Sequence, residues 1–338
     1  MKILALRFSA LGDVAMTIPV VIAFCRTNPD IQLTMLTSGM GKKIYDAVSD
    51  NVPNLTVRGL NLKKDYNGIG GLNRLYGELK AEQFDAVADL HDVLRTKWLR
   101  LRFMLSGVRV AKIDKGRNDK KALVRHTSNG QLKSGFQRYQ DVFEELGMKV
   151  DMAKYDTTGI RKRLAESVAN DIPEQAIGIA PFAMHRGKIY PKAKMQEVIG
   201  QLLTGNPMLH IYLFGGSDEA QELDTWTLAD SQRIHNLAGR QGIADDIRLM
   251  ARLSGVISMD SSNMHLASLV GTRVISIWGA THPHAGFLGF RQSPEDVVSL
   301  PLPCRPCSIY GNKPCRYGHW KCMEDIDPKT ICQRLTGK

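Results

Sequence analysis

Short apolar runs alternate along the chain with longer segments whose apolar residues recur every three or four positions. The short runs predict buried strands, and the longer segments predict amphipathic helices. In the first half, the predicted strands are 2–8, 31–37, 54–60, 84–90 and 108–113, and the predicted helices are 13–27, 71–82, 93–105 and 136–147. In the second half, the predicted strands are 176–182, 208–216, 255–260 and 272–279, and the predicted helices are 191–204, 218–229, 242–253 and 262–270. This alternation predicts α/β domains with parallel sheets.

The alternation is interrupted in the mostly polar stretch 150–175. A chain of 338 residues is long enough for two domains of ordinary size. We therefore expect two Rossmann-like domains, one over 1–155 and one over 172–300, followed by a cysteine-rich tail over 301–338. Because ligands bind outside the carboxyl ends of parallel strands, a cleft between two such domains is the expected ligand site.

Basic residues outnumber acidic ones, with 45 Lys and Arg against 34 Asp and Glu and a net charge of +11. This excess favours an anionic partner, such as nucleic acid, a phosphorylated substrate or an anionic membrane face. The sequence lacks zinc-finger His/Cys pairs and an RNP aromatic motif, which argues against nucleic acid. It also lacks G-x-G-x-x-G after the first strand and G-x-x-x-x-G-K-[ST], which disfavours a nicotinamide dehydrogenase and a P-loop NTPase.

The apolar runs are short. None reaches the roughly 18–20 residues that span a bilayer. The N-terminal apolar stretch is interrupted by Arg7 and Asp13 and does not resemble a signal peptide. We therefore expect a soluble, cytoplasmic protein.

The first strand is followed by Ser9-Ala10-Leu11-Gly12-Asp13. Gly12 permits a tight turn, and the carboxylate of Asp13 follows it at the carboxyl end of the strand. A carboxylate there can take a proton from an attacking hydroxyl group. It can equally cap the helix that follows, and the spacing alone leaves both interpretations open.

The segment DSSNMH, residues 260–265, lies where a predicted strand ends and a helix begins. The N-terminus of a helix carries partial positive charge and free N–H groups, so a pyrophosphate fits there. The hydroxyls of Ser261 and Ser262 can donate to the same phosphates. Asp260 can bind a sugar hydroxyl or organise the turn, and His265 lies one turn further along. The alternative is an ordinary capped helix with a buried histidine.

Two further strand ends carry candidate residues. Lys188, in HRGKIYP, can stabilise the negative charge of a leaving diphosphate, or it is an exposed loop lysine. In FGGSDE, residues 214–219, Gly215 and Gly216 permit close backbone approach to a ligand, and Ser217 with its acidic neighbours can cap the helix that follows.

Four cysteines are clustered within 19 residues near the C-terminus, and they are Cys304, Cys307, Cys315 and Cys322. In a chain expected to be cytoplasmic, this spacing favours a structural zinc ion. Two disulfides or free thiols remain alternatives. Metal analysis of protein purified without a chelator distinguishes them.

Taken together, RFSALGDVAMTIPV, APFAMHRGKIYP, FGGSDEAQE and MDSSNMHLASLVGTRVISIWGATHP resemble glycosyltransferase family 9, the ADP-heptose:lipopolysaccharide heptosyltransferase family. The resemblance implies an α/β GT-B fold, with two Rossmann-like domains facing across a cleft. The N-terminal domain would bind the acceptor and the C-terminal domain the nucleotide-sugar donor. The tail would pack back toward the N-terminal domain.

The resemblance also implies an inverting, metal-independent transfer of heptose, with Asp13 as general base and Lys188 at the diphosphate. It implies donor contacts from residues of both halves, namely Ser9, Gly12, Ser217, Gly239, Asp260, Ser261, Ser262 and His265. Ala183 and Met184 depart from the family, whose members often carry small polar residues at these positions.

The implied partners are ADP-heptose and the anionic inner core of lipopolysaccharide, with no nucleic acid. The candidate acceptor-binding residues are basic, and they are Arg95, Lys97, Lys120 and Lys121. Such an enzyme would work at the inner face of the cytoplasmic membrane as a peripheral protein and would need no catalytic cofactor. Alternatives are the same fold acting on another nucleotide-sugar or glycan, a nucleic-acid-binding protein with a zinc knot, and a sugar-nucleotide epimerase.

Overall fold

The computed structural model describes residues 1–168 and 172–337. The chain forms two compact units. The first comprises Met1–Lys115 and Ser134–Asp156, and the second comprises Gly116–Lys133 and Thr157–Lys338. The expected linker, 150–175, includes residues 169–171, which lie outside the described residues. The domain limits expected from the sequence stay a prediction.

The first unit is built on a parallel five-stranded sheet of order β3-β2-β1-β4-β5. Its strands are β1 Lys2–Leu6, β2 Gln32–Thr37, β3 Leu55–Gly59, β4 Ala86–Asp89 and β5 Arg109–Lys112. Its helices are α1 Leu11–Thr27, α2 Gly39–Val48, α3 Gly68–Lys80, α4 Leu94–Leu105 and α6 Gly135–Glu145. Helix α5, Arg117–Val124, lies between α4 and α6 in the chain and belongs to the second unit. A single 3₁₀ turn spans Met152–Lys154.

The second unit is built on a parallel six-stranded sheet of order β11-β10-β9-β6-β7-β8. Its strands are β6 Ala176–Ala180, β7 His210–Leu213, β8 Ile234–Asn236, β9 Gly255–Met259, β10 Val274–Ile277 and β11 Val297–Val298. Its helices are α5 Arg117–Val124, α7 Thr157–Glu166, α8 Lys192–Gly205, α9 Ala220–Thr227, α10 Ile243–Arg252, α11 Ser262–Leu269, α12 Lys321–Glu324 and α13 Pro328–Thr336.

Each strand predicted from the sequence coincides with an observed strand. The sequence pattern does not predict seven short or polar elements, which are α2, α5, α7, α12, α13, β8 and β11. In α2 the start Gly39-Met40-Gly41 consists largely of poor helix formers. The helix forms because the side chain of Ser38 accepts the N–H of Gly41 at 3.0 Å and so caps the N-terminus.

Helix α1 anchors the core of the first unit. Its residues from Val14 to Cys25 are all buried, so the helix is covered on every side. The ring of Phe24 stacks on that of Phe143 in α6, with ring centroids 4.3 Å apart. This aromatic contact packs α6 against α1, so that the segment after α5 belongs again to the first unit.

The C-terminal helix α13 packs against α8 within the second unit. Its Ile331 is fully buried in that unit's core. Among the helices of the described residues, none is long and apolar enough to cross a membrane.

Replacing Phe143 with alanine removes half of the aromatic stack and leaves a cavity beside α1. We expect Phe143→Ala to lower the free energy of unfolding of the first unit by about 3–5 kcal/mol. Hydrogen exchange of the α1 amides in increasing urea measures this change, because these amides belong to the first unit. The control Leu105→Ala, at a side chain that is 73% exposed, should stay within about 0.5 kcal/mol of the parent protein. Equal stability of the two variants would contradict the packing described here.

Candidate functional site

In the first unit, the turn after β1 is organised by a buried cation, Arg7, which is 6% exposed. Its backbone N–H donates to the carbonyl of Leu36 at the end of β2, at 3.0 Å. Its Nη1 donates to the carbonyl of Leu90, just past β4, at 2.8 Å. Because β1 lies between β2 and β4, this one residue fixes three neighbouring strand ends.

Arg7 also holds Asp13, since its Nη2 lies 2.5 Å from Oδ2 of that carboxylate. Asp13 is the third residue of α1, and Oδ2 also accepts the N–H of Ala10 at 3.3 Å. The negative charge is thus stabilised by the guanidinium and by the helix N-terminus. The side chain of Asp13 remains 35% exposed. The carboxylate therefore both caps α1 and stays accessible to a ligand.

Ser9, a predicted donor contact, lies beside a histidine that the sequence did not single out. Its Oγ is 3.4 Å from Nε2 of His91, and the N–H of Phe8 donates to Nδ1 of His91 at 3.4 Å. Burial, together with the charges of Arg7 and Lys115, lowers the pKa of His91 to about 4, against the opposing effect of Asp13 and Asp92. His91 is therefore neutral at physiological pH and acts as a hydrogen-bonding support for the turn.

The four predicted acceptor-binding residues do not lie together in one unit. Arg95 and Lys97 lie on α4 of the first unit, where Nζ of Lys97 is 3.9 Å from Asp92. Lys120 and Lys121 lie on α5, which belongs to the second unit. Lys121 is exposed, but Lys120 is only 9% exposed, with Nζ 4.4 Å from the ring centre of Phe287.

The second unit has its own buried charge, Asp260, directly after the central strand β9. Asp260 is 4% exposed. Its Oδ2 lies 2.9 Å from Nζ of Lys188, which follows β6, and accepts the hydroxyl of Thr281, which follows β10, at 2.8 Å. Since β9 lies between β6 and β10, the carboxylate joins three adjacent strand ends. These contacts hold the Asp260 side chain in place, and its predicted role toward a donor sugar stays a prediction.

Helix α11 begins beside Asp260. Ser261 occupies the N-cap position in an extended conformation, and Ser262 is the first helical residue. The Oγ of Ser261 is 3.3 Å from that of Ser258. His265 lies inside the helix and is 7% exposed. A lysine ammonium, a helix N-terminus and two hydroxyls therefore belong to one loop cluster, which can bind a diphosphate.

Ser217 and Gly239 are brought together although they follow different strands. Gly239 has φ of +65°, and a Cβ at this position would lie 2.6 Å from the Cα of Ser217. Only glycine therefore allows the loop after β8 to pass so close to the loop after β7. Glu219 turns back on its own loop, where its Oε2 accepts the N–H of Gly216 at 2.7 Å.

The C-terminal tail packs against Lys188. Gly311 has φ of +75°, and a Cβ there would lie 2.7 Å from Cγ of Lys188. The backbone of the tail thus packs against the lysine side chain, which is 17% exposed. Met184 is 86% exposed on the loop after β6.

The sequence predicts that four cysteines of the tail hold a structural zinc ion. All six cysteines of the chain are free thiols. Within the described residues, no three His, Cys, Asp or Glu side chains converge in a way that could hold a metal ion. Burial raises the pKa of Cys322 to about 11, so that its thiol keeps its proton at neutral pH. The zinc site expected from the sequence therefore stays a prediction.

The buried neutral His91 gives the first unit a pH-dependent stability. Between pH 6.5 and 4 the unfolded chain binds a proton at this residue and the folded chain does not, so stability falls as the pH falls. The shift corresponds to about 3 kcal/mol across this window. His91→Gln should remove that contribution.

Hydrogen exchange of the α1 amides in urea at a series of pH values, corrected for the intrinsic exchange rate at each pH, measures this effect. The control His319→Gln, at an exposed histidine, should keep the pH dependence of the parent protein. Parallel profiles for the parent protein and His91→Gln would contradict the assignment.

Comparison with known proteins identifies the family. Residues 72–320 match glycosyltransferase family 9 (heptosyltransferase). Lipooligosaccharide heptosyltransferase 2 of Campylobacter jejuni is 27% identical over 128 residues, which are 37% of this chain and 39% of that protein. Lipopolysaccharide core heptosyltransferase OpsX of Haemophilus influenzae is 25% identical over 291 residues, 82% of this chain and 79% of that protein. The match with the Campylobacter protein thus spans about two fifths of its length.

Among solved structures, the E. coli heptosyltransferase WaaC with ADP-2-deoxy-2-fluoro heptose has a TM-score of 0.70 at 18% identity. That match covers 100% of this chain and 99% of the other. It confirms the expected GT-B fold class, with two parallel α/β sheets. Because the family match extends over well more than half of the chain, the chain belongs to glycosyltransferase family 9, the heptosyltransferases.

Proposed function

We propose that this protein transfers a heptose from ADP-heptose to the inner core of lipopolysaccharide, with inversion at the anomeric carbon and without a catalytic metal. The observation that carries the proposal is the cluster of Lys188, Asp260 and the N-terminus of α11 at the carboxyl edge of the second sheet. The match to glycosyltransferase family 9 supports the proposal. So do two relatives that are named as heptosyltransferases of lipooligosaccharide and of the lipopolysaccharide core.

The donor diphosphate is proposed to bind at this cluster. Cleavage of the sugar–phosphate bond leaves its electron pair on the ADP, and the added negative charge needs cations or N–H donors. Lys188 supplies an ammonium group, and the first turn of α11 supplies N–H groups and the hydroxyls of Ser261 and Ser262. Asp260 holds the ammonium in place at 2.9 Å.

The remaining donor contacts are assigned to the neighbouring loops. The close approach of Gly239 to Ser217 forms a backbone surface that suits a nucleoside. His265 follows the phosphate-binding turn within α11 and is buried there. Ala183 and Met184 offer no side-chain donors to the diphosphate. This favours, as a second candidate, the same reaction with another nucleotide-sugar or glycan acceptor.

Asp13 is the proposed general base. The acceptor hydroxyl gives its proton to the Asp13 carboxylate as its oxygen bonds to the anomeric carbon and the diphosphate departs. The contacts of the carboxylate to Arg7 and to the N–H of Ala10 both involve Oδ2. These contacts fix the side chain while about a third of it stays exposed. Gly12 and Ser9 complete the turn, and Ser9 is supported by His91.

The acceptor is proposed to be anionic and presented at the inner face of the cytoplasmic membrane, to which the protein binds peripherally. The net charge of +11 suits such a partner. Arg95, Lys97 and Lys121 are the basic residues assigned to it. Lys120 contributes less directly, because it packs over Phe287.

Asp13→Asn keeps the shape of the side chain and removes its basicity. We expect the turnover number for heptose transfer from ADP-heptose to heptose-free lipopolysaccharide to fall by about 10²–10⁴-fold, with unchanged donor affinity. Steady-state kinetics and calorimetric titration of ADP measure the two quantities.

The matched control is Asp46→Asn, since Asp46 only pairs with Lys42 on the surface of α2. It should turn over like the parent protein. A rate for Asp13→Asn close to that of the control would overturn the role of Asp13. Transfer from a different nucleotide-sugar, with no transfer from ADP-heptose, would overturn the assignment of ADP-heptose as the donor.

A further inference from the structure

The second unit contains a cavity of about 490 Å³ that no role above uses. This volume is typical of small-molecule sites. The lining residues come from the end of α5 and the segment after it, from the loop after β10 and from the start of the tail. They are Leu123, His126, Thr127, Ser128, Asn129, His282, His284, Arg305 and Pro306. None of them is acidic, whereas three are histidines and one is an arginine.

The two sides of the cavity are tied together by hydrogen bonds. Nδ1 of His284 lies 3.0 Å from the carbonyl oxygen of Asn129, and the N–H of Leu132 donates to the carbonyl of His284 at 2.9 Å. Since a carbonyl only accepts, Nδ1 of His284 carries a hydrogen. The loop after α5 is therefore held against the loop after β10, and the cavity is formed before any ligand binds.

His282 is also fixed in one tautomer. Its Nδ1 accepts the N–H of His284 at 3.1 Å, so in the neutral ring the hydrogen lies on Nε2. The rings of His282 and His284 meet edge to face, with centroids 4.2 Å apart. This leaves Nε2 of His282 as a hydrogen-bond donor among the lining residues.

Arg305 places a positive charge beneath the cavity. It is 9% exposed, and its guanidinium donates to four backbone carbonyls, those of Trp278, Gly279, Thr281 and Leu300. These partners carry dipoles and no negative charge. Among the lining residues, the positive charge of Arg305 therefore has no acidic counterpart.

The charge of Arg305 also affects the pKa of His282. Burial lowers the pKa of His282 to about 4, and the charges of His284 and Arg305 add to the effect. A ligand that brings a negative charge would compensate the excess of positive charge that these side chains create.

We propose that this cavity binds the anionic group of a charged sugar, a phosphate or a carboxylate, with His126, His282 and Arg305 facing the charge. Ser128 and Asn129 offer hydrogen bonds to sugar hydroxyls, and Leu123 offers an apolar surface to the ring. The choice of a sugar rests on the proposed function, whereas binding of the anion does not require any transfer. The volume accommodates a monosaccharide with one charged substituent.

The cavity is linked to the donor cluster through a single residue. Thr281 donates its hydroxyl to Asp260, and its carbonyl accepts from Nη2 of Arg305 at 3.0 Å. His282 is the next residue along the chain. A charged sugar in the cavity would therefore lie beside the loop that orients Asp260, which suits a subsite for the acceptor.

The test is calorimetric titration of the full chain, without donor, with mannose 6-phosphate, glucuronate and neutral mannose. We expect a charged sugar to bind and mannose not to bind. The tighter of the two charged sugars identifies the anion as phosphate or carboxylate. His282→Gln should weaken the binding by about tenfold or more, as expected for a lost charge-assisted hydrogen bond.

His126→Gln is the second variant, because His126 is exposed and its replacement leaves the packing intact. It should also weaken binding, whereas His319→Gln, outside the cavity, should not. The proposal is overturned if neither charged sugar binds, if mannose binds equally well, or if His126→Gln and His282→Gln both bind like the control. If the parent protein transfers heptose but binds neither charged sugar in this cavity, only the assignment of the cavity as a sugar site is overturned. The proposed function then stands.

Discussion

The second unit depends on one buried carboxylate that three strand ends share. Asp260 follows the central strand β9 and is bonded to residues that follow its two neighbours, Lys188 after β6 and Thr281 after β10. A buried charge without such partners would cost several kcal/mol. The pairing therefore fixes the relative positions of the loops. It also holds an ammonium group next to the N-terminus of α11, where a diphosphate would bind.

The first unit uses the same arrangement with the opposite charge. Arg7 follows the central strand β1. Its backbone N–H donates to the carbonyl of Leu36 near the end of β2, and its guanidinium donates to the carbonyl of Leu90 just past β4. The remaining edge of its guanidinium holds Asp13 at 2.5 Å. In both units a buried charge directly after the central parallel strand turns the loops into a rigid frame. A functional side chain placed by such a frame loses little conformational entropy when it binds a substrate.

The sequence predicts the strands well because parallel strands are buried on both faces and appear as continuous apolar runs. It also predicts that Asp13 and the turn at 260–265 follow strand ends, as they do after β1 and β9. The chemistry assigned to them stays a proposal. It does not reveal Arg7, His91 or Thr281, since their importance depends on which strands are neighbours in the sheet. A charged residue directly after a buried strand, such as Arg7, is the one signal that was available.

The assignment of α5 to the second unit is likewise invisible in the sequence, because it depends on contacts with residues more than 150 positions away, such as that of Lys120 with Phe287. This separates Lys120 and Lys121 from Arg95 and Lys97. The segment after α5 also lines the histidine-containing cavity. Residues that the sequence pattern assigned to the N-terminal domain thus line a cavity in the second unit.

The central claim is that the frame around Asp260 holds a nucleoside diphosphate through Lys188. Calorimetric titration of ADP into the parent protein and into Lys188→Gln tests it most directly, with Lys192→Gln as a control at an exposed lysine that pairs with Glu222. Loss of a hydrogen bond to a charged group predicts an affinity for ADP about 10- to 100-fold weaker in Lys188→Gln and unchanged in the control. Equal affinity in all three proteins would contradict the account.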